Sequence, residues 1–311
     1  MKNFYNPKSK NQSGRLLALL IILVLIIVAV AAAYRPLANH YVLANARPKI
    51  KSLAVQAGLS RTGKLILFKT HPRLVSTGQL ASDCGVKQGK KFIEQGCFVA
   101  GSSGREQIYL RQMPASLHGV EIVTAAHEML HAAYAKLNSS TKNSVNQQVL
   151  GEYKTLENKD LNARLADYAV SEPGQRGNEL HSILGTEFAP LPQKLTNYYH
   201  QYFTNRGKVV AANKQITQKF ASLKTKINQQ QAAVYAGEAR SNSLFSASGS
   251  AAAAGNAQSD NYYYARYSQE VNTINHLISQ YNQSVNQYNT LAAEYNGQPQ
   301  GSIPKLPTKT S

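Results

Sequence analysis

The chain has no tryptophan, two cysteines and three methionines among its 311 residues, and it is short of acid. Only 16 Asp and Glu stand against 34 Lys and Arg, a formal charge of +18. Two cysteines, neither with a nearby histidine, argue against a Cys-only zinc site. The acid deficit bears on partners and solubility, not on fold. It suits nucleic acid, anionic headgroups or anionic cell-envelope polymers. No zinc finger, aromatic–basic single-strand platform or recognition-helix pattern occurs, so no nucleic-acid partner is expected. Against these shortages stand 18 tyrosines and a hydrophobic fraction of 43%, enough for one substantial core.

Residues 1–15 form a short basic tail with Lys2, Lys8, Lys10 and Arg15 and no acid. Leu16 to Ala33 is unbroken Leu, Ile, Val and Ala. With Tyr34 this run measures about 28 Å as a helix, close to the ~30 Å of a bilayer core. Ala31-Ala32-Ala33 also fits the end of a signal peptide, but such apolar cores usually span about 7–15 residues. Residues 16–34 therefore read as an uncleaved transmembrane anchor. A short charged N-terminal tail usually stays inside. The expectation is a single-pass plasma-membrane protein with the bulk of the chain extracytoplasmic. Cys84 and Cys97, thirteen positions apart, fit a bridge in an oxidising compartment. Closing that loop would contribute roughly 3 kcal/mol in the chain-entropy view.

Residues 48–57 read as a short helix started by Pro48 and stopped by Gly58. Lys64 to Lys69 encloses Leu-Ile-Leu-Phe, an expected strand. Phe92 to Ala100 and Gln107 to Met113 are two more, joined as a hairpin by Gly101-Ser102-Ser103-Gly104. Ser116 to Gly119 looks like a loop. Val123, Ala126, Leu130, Ala133 and Leu137 then recur at steps of three and four, an apolar helical stripe. Helical pattern continues over 141–170, is broken at Glu172-Pro173-Gly174, and resumes over 178–188. The last third is different. Val209, Ile216, Phe220, Leu223, Ile227 and Val234 make one heptad array. Tyr264, Tyr267, Val271, Ile274, Ile278, Tyr281, Val285, Tyr288, Ala292 and Tyr295 make a second, separated by Ser, Ala and Gly. An antiparallel pairing of the two arrays is expected, with 297–311 as a disordered tail.

The chemistry-bearing motif is His127-Glu128-Met129-Leu130-His131. Imidazoles four residues apart leave the same face of a helix and can bind one metal ion. Glu128 lies beside that face, placed to take a proton from water at the metal. A zinc site needs a third protein ligand and an open position. No third histidine follows at short spacing. Carboxylates come with the segment Asn178 to Glu187, which holds Glu179, His181 and Glu187.

Here the chain resembles the gluzincin branch of the zincin metallopeptidases, which includes thermolysin-like enzymes. Those carry His-Glu-x-x-His on one helix and a glutamate ligand on a later one, in a segment reading Glu-x-x-Ser-Asp or Glu-x-x-Ala-Asp. Glu179-Leu180-His181-Ser182 matches four positions, and Ile183 stands where the aspartate would be. The resemblance implies His127, His131 and Glu179 as zinc ligands and Glu128 as catalytic base, with Glu187 and His181 as alternatives for the third ligand. It covers about Ile50 to Phe188. Gluzincins also donate a hydrogen bond to the oxyanion from a His or Tyr, and His181, Tyr198, Tyr199 and His200 are open candidates.

The resulting expectation is an α+β protein. It has a transmembrane anchor (16–34), a small zincin-like domain of short sheet and active-site helix (45–204), and a coiled-coil helical hairpin (205–296) with a Ser/Ala/Gly linker at 241–260. Its function would be zinc-dependent peptide-bond hydrolysis on a protein or peptide substrate. The alternative is a non-catalytic zincin-like envelope protein whose coiled coil docks a partner.

Overall fold

The computed structural model describes residues 10–85, 95–101, 105–171, 173–297 and 302–309. Lys2 and Lys8 of the basic tail, the start of the strand expected from Phe92, Ser102 to Gly104 of the turn, Glu172, and 298–301 and 310–311 of the tail lie outside these residues.

The α+β expectation is corrected. Of the described residues 76% are helical, forming a bundle of helices with one small three-stranded sheet. Its helices are α1 (Lys10–Asn45), α2 (Pro48–Gln56), α3 (Arg61–Lys69), α4 (Thr77–Asp83), α5 (His118–Ala135), α6 (Ser139–Thr155), α7 (Lys159–Ser171), α8 (Arg176–Glu187), α9 (Gln193–Tyr199), α10 (Gly207–Ala253) and α11 (Ala257–Asn296). The strands are β1 (Arg73–Val75), β2 (Gly96–Ala100) and β3 (Glu106–Arg111). The segment expected as a strand at Lys64 to Lys69 lies in α3. Ser60 caps that helix, accepting from the Gly63 amide at 3.1 Å. The buried face Gly63, Leu67 and Phe68 has the four-residue helical step. An apolar run of four is too short to tell the two periods apart.

The transmembrane, single-pass and plasma-membrane expectations are also corrected. Among the described residues no helix is long and apolar enough to cross a membrane. The apolar residues from Leu16 belong to α1, which runs on through Pro36. Its far end packs Val42 and Leu43 onto the main core.

In the sheet, β3 is central, parallel to β1 and antiparallel to β2. The hairpin expected around Gly101 is this β2–β3 pair, with Cys97 opposite Tyr109. Cys84 and Cys97 are disulfide-bonded, tying the end of α4 to edge strand β2. The residues expected as a loop at Ser116 to Gly119 are a 3-10 turn, Ala115–Leu117, leading directly into α5.

α5 lies at the centre. Twelve of its eighteen residues are buried, so most of its surface meets protein and its alanines let neighbours close in. α10 and α11 form a long antiparallel pair whose seam buries Ile227 and Val234 against Ile274, Ile278, Tyr281 and Val285. α10 stays helical through the Ser/Ala/Gly stretch and turns only at 254–256. Tyr264 is exposed rather than in the seam. The base of this hairpin is fastened to the rest of the chain. Arg111 donates to the Glu294 carbonyl, and Gln95 Nε2 donates to the Tyr295 carbonyl at 3.1 Å. These satisfy last-turn carbonyls that have no partner within the helix. Residues 302–309 lie along α11.

Buried Glu121 pins the start of α5 to α2. Its carboxylate accepts from the Met113 amide (3.0 Å), Lys49 Nζ (2.8 Å) and His118 Nδ1 (2.9 Å). Burial raises its pKa, but the bonds from Lys49, Met113 and His118 hold it below the ordinary carboxylate value. A depressed folded pKa gives stability that is present above the unfolded value and is lost as pH falls through the folded one. Glu121→Gln is therefore expected to lower the unfolding free energy by about 1–2 kcal/mol at pH 7. Urea titrations of both proteins check this, and the gap should narrow below the ordinary carboxylate range.

Candidate metal centre

His127 and His131 project from the same side of α5, with ring centroids 4.7 Å apart. With Glu128 they form a group whose possible ligand atoms all lie within 4.8 Å of one another, and this group could hold a metal ion. The donor set fits one. Burial, then the charges of His131, Arg164 and His181, hold the His127 pKa well below the ordinary histidine value. His127 is therefore neutral at pH 7, as ligation requires. His131 Nδ1 stands 3.0 Å from Asn178 Oδ1. An amide oxygen only accepts, so Nδ1 carries the proton and Nε2 keeps its lone pair for the site.

The carboxylate beside this pair is that of Glu179. Its Oε2 lies 3.9 Å from His127 Nε2 and its Oε1 3.6 Å from His131 Nε2. Glu179 sits buried in the first turn of α8, where the helix dipole favours a negative charge. The approach of α8 depends on Gly185. A Cβ there would stand 2.4 Å from Leu130 Cδ1 of α5 and 2.8 Å from the Tyr199 ring. The two other third-ligand candidates are engaged elsewhere. Glu187 makes a twofold hydrogen bond with Arg164, at 2.7 and 2.8 Å. His181 is fully buried and turns Nε2 to the Tyr198 hydroxyl at 2.9 Å. Burial, then the nearby His131, pushes its pKa down to about 3.

A cleft of about 620 Å³ reaches the group from the His127 and Glu128 side. Gly96 of edge strand β2 forms part of its wall, where a Cβ would meet Thr124 and Tyr109 and come within 3.2 Å of Glu128 Cγ. The opposite wall comes from the helical hairpin through Phe220, Tyr288 and Tyr295, whose rings meet edge-on at 5.6 and 5.9 Å. Of the oxyanion-donor candidates, His181, Tyr198 and Tyr199 pack together in an aromatic cluster. His200 is the exposed C-cap of α9. None of the four lines the cleft.

Sequence reasoning missed Asn178, Gly96 and the cleft role of the hairpin tyrosines. Asn178 could have been found as the polar neighbour of a candidate ligand in a helix first turn. Tyr288 and Tyr295 carry the heptad signal of a seam and pack on Phe220 across it, and nothing local shows that they also border the cleft. No family model matches the chain, and no curated protein or solved structure matches it.

Asn178 orients His131 without being placed to touch a metal, so Asn178→Ala is expected to weaken divalent-metal affinity about 10–100-fold. Competition against a chromophoric chelator measures it. Unchanged affinity would mean that His131 needs no orienting partner.

Proposed function

We propose that the chain is a zinc-dependent metallopeptidase. The single observation that carries this reading is the convergence of His127, His131 and the Glu179 carboxylate beside Glu128, at the end of an open cleft. Two imidazoles and one carboxylate suit zinc and leave a position for water or substrate. In this reading His127, His131 and Glu179 hold the metal. Bound zinc would supply Lewis acidity, polarising a carbonyl and making water acidic near neutral pH.

The remaining work belongs to side chains. Glu128 is buried at the cleft floor next to His127. Its carboxylate takes the proton of the attacking water and passes it to the departing amine nitrogen. β2 supports a peptide as substrate. It is an edge strand, paired to β3 on one side, and its first residue borders Glu128. An extended chain laid along such an edge adds backbone hydrogen bonds. The aromatic wall of Phe220, Tyr288 and Tyr295 then faces the substrate's side chains.

Glu128→Gln is expected to retain about one zinc per chain and lose peptide hydrolysis by several orders of magnitude. Metal analysis beside a fluorogenic peptide-library assay checks both halves, and full activity in this variant sinks the assignment. Glu179→Ala is expected to release zinc, whereas Glu187→Ala keeps it. The opposite ranking would give the third-ligand role to Glu187.

A further inference from the structure

Residues 302–309 lie antiparallel to α11, and the contact has a regular pattern. Asn289 Nδ2 donates to the Ile303 carbonyl (2.9 Å), and the Ile303 amide donates back to Asn289 Oδ1 (2.9 Å). Asn282 makes the same paired bonds with Leu306, both at 2.8 Å. Asn275 repeats them with Lys309, at 3.0 and 2.8 Å. Three asparagines at seven-residue steps thus bind the backbone of every third residue. The steps are commensurate, because seven helical residues rise about 10.5 Å and three residues of extended chain span about 10–11 Å.

The tail's side chains follow the same period. Residues 303, 306 and 309 are half-buried, while 302, 304, 305, 307 and 308 are exposed. Ile303 packs with Ile227, Tyr281 and Val285, and Leu306 reaches Val234, Ile274 and Ile278. Pro304 and Pro307 follow the two apolar anchors directly. A residue before proline is held in the extended region, so Ile303 and Leu306 are already shaped for the ladder. Proline itself has no amide donor to leave unpaired. The Pro304 carbonyl accepts from the Tyr281 hydroxyl at 3.1 Å.

We propose that Asn275, Asn282 and Asn289 form a peptide-binding groove selective for extended segments with an apolar residue followed by proline at every third position, and that the chain's own tail is its exchangeable ligand. Backbone reading supplies affinity, and the apolar pockets with the prolines supply selectivity. Asn296 stands one further seven-residue step along α11 and lines the cleft beside His127 and Glu128. The ladder therefore leads from the tail's seat to the candidate metal centre. Binding at the ladder is independent of hydrolysis there.

A labelled synthetic peptide, Ser-Ile-Pro-Lys-Leu-Pro-Thr-Lys, tests this against the full-length chain by fluorescence anisotropy. Ile303→Gly with Leu306→Gly loosens the resident tail, so this variant is expected to bind the peptide at least about tenfold more tightly than wild type, whose tail competes at high local concentration. Adding Asn282→Ala to the loosened chain removes two hydrogen bonds and is expected to cost about tenfold in affinity. A peptide with alanine in place of both prolines should bind several-fold more weakly. No saturable binding to the loosened chain, or binding indifferent to Asn282→Ala, overturns the groove, and equal binding of the alanine peptide overturns its proline selectivity. In the native chain, amide exchange at Ile303, Leu306 and Lys309 should be slower than at Lys305 and Thr308. Asn282→Ala should accelerate Leu306 at least about tenfold, and uniform exchange along the tail would also overturn the proposal.

Discussion

Leu130 of α5 and the ring of Tyr199 occupy the space that any side chain at position 185 would need. With glycine there, α8 lies directly on α5, and the rest of the site depends on that approach. It brings the first turn of α8 alongside the histidine face, so that Glu179 comes within 4 Å of both imidazoles and Asn178 meets His131 from behind. Burying a carboxylate is costly unless its charge is compensated. The first-turn position in α8 favours that charge, and the imidazoles of His127 and His131 lie beside it. α5 tolerates this crowding because Ala125, Ala126, Ala132 and Ala133 hold its other faces close to their neighbours.

The open side of the centre is built from parts far apart in the chain. β2 contributes a glycine on one wall, and α10 and α11 contribute aromatic rings on the other. The hairpin can serve as a wall only because its base is held in place. Met113, Leu117 and Val120 pack with Leu291, while Arg111 and Gln95 take up carbonyls of α11's last turn. The cleft thus lies at the anchored base of the helical pair. The pair's other contacts, including the seated tail, are made along the same helix that supplies Tyr288 and Tyr295.

Two periodicities meet on α11. Its apolar seam positions close against α10, and its asparagines, on a neighbouring stripe of the same heptad, face the tail. Asparagine carries a donor and an acceptor at one position and so can match one residue's amide and carbonyl together. A charged side chain could satisfy only one of the two. The Asn-rich composition of this helix, unusual beside a coiled-coil seam normally flanked by Glu and Lys, has a structural use in these paired bonds.

How much of this could be read from the sequence depends on the range of the interaction involved. The placement of His127, Glu128 and His131 follows from helix geometry alone, because residues four apart share a face in any helix. The β2–β3 hairpin, the Cys84–Cys97 pairing and the two heptad arrays were legible for the same reason, each being a local period or a short loop. The apolar run at 65–68 was misread because four residues do not distinguish two periods. The α+β expectation failed because the patterns of individual segments do not show that helices supply most of the core. The membrane expectation rested on the length of an apolar run, whereas among the described residues no helix is long and apolar enough to cross a membrane. Which carboxylate stands beside the histidines, which seam tyrosines also line the cleft, and where the tail lies were decided only by tertiary packing. Each depends on the distance between helices far apart in sequence, and that distance is set by side-chain volume at the crossing, as Leu130 and Gly185 illustrate.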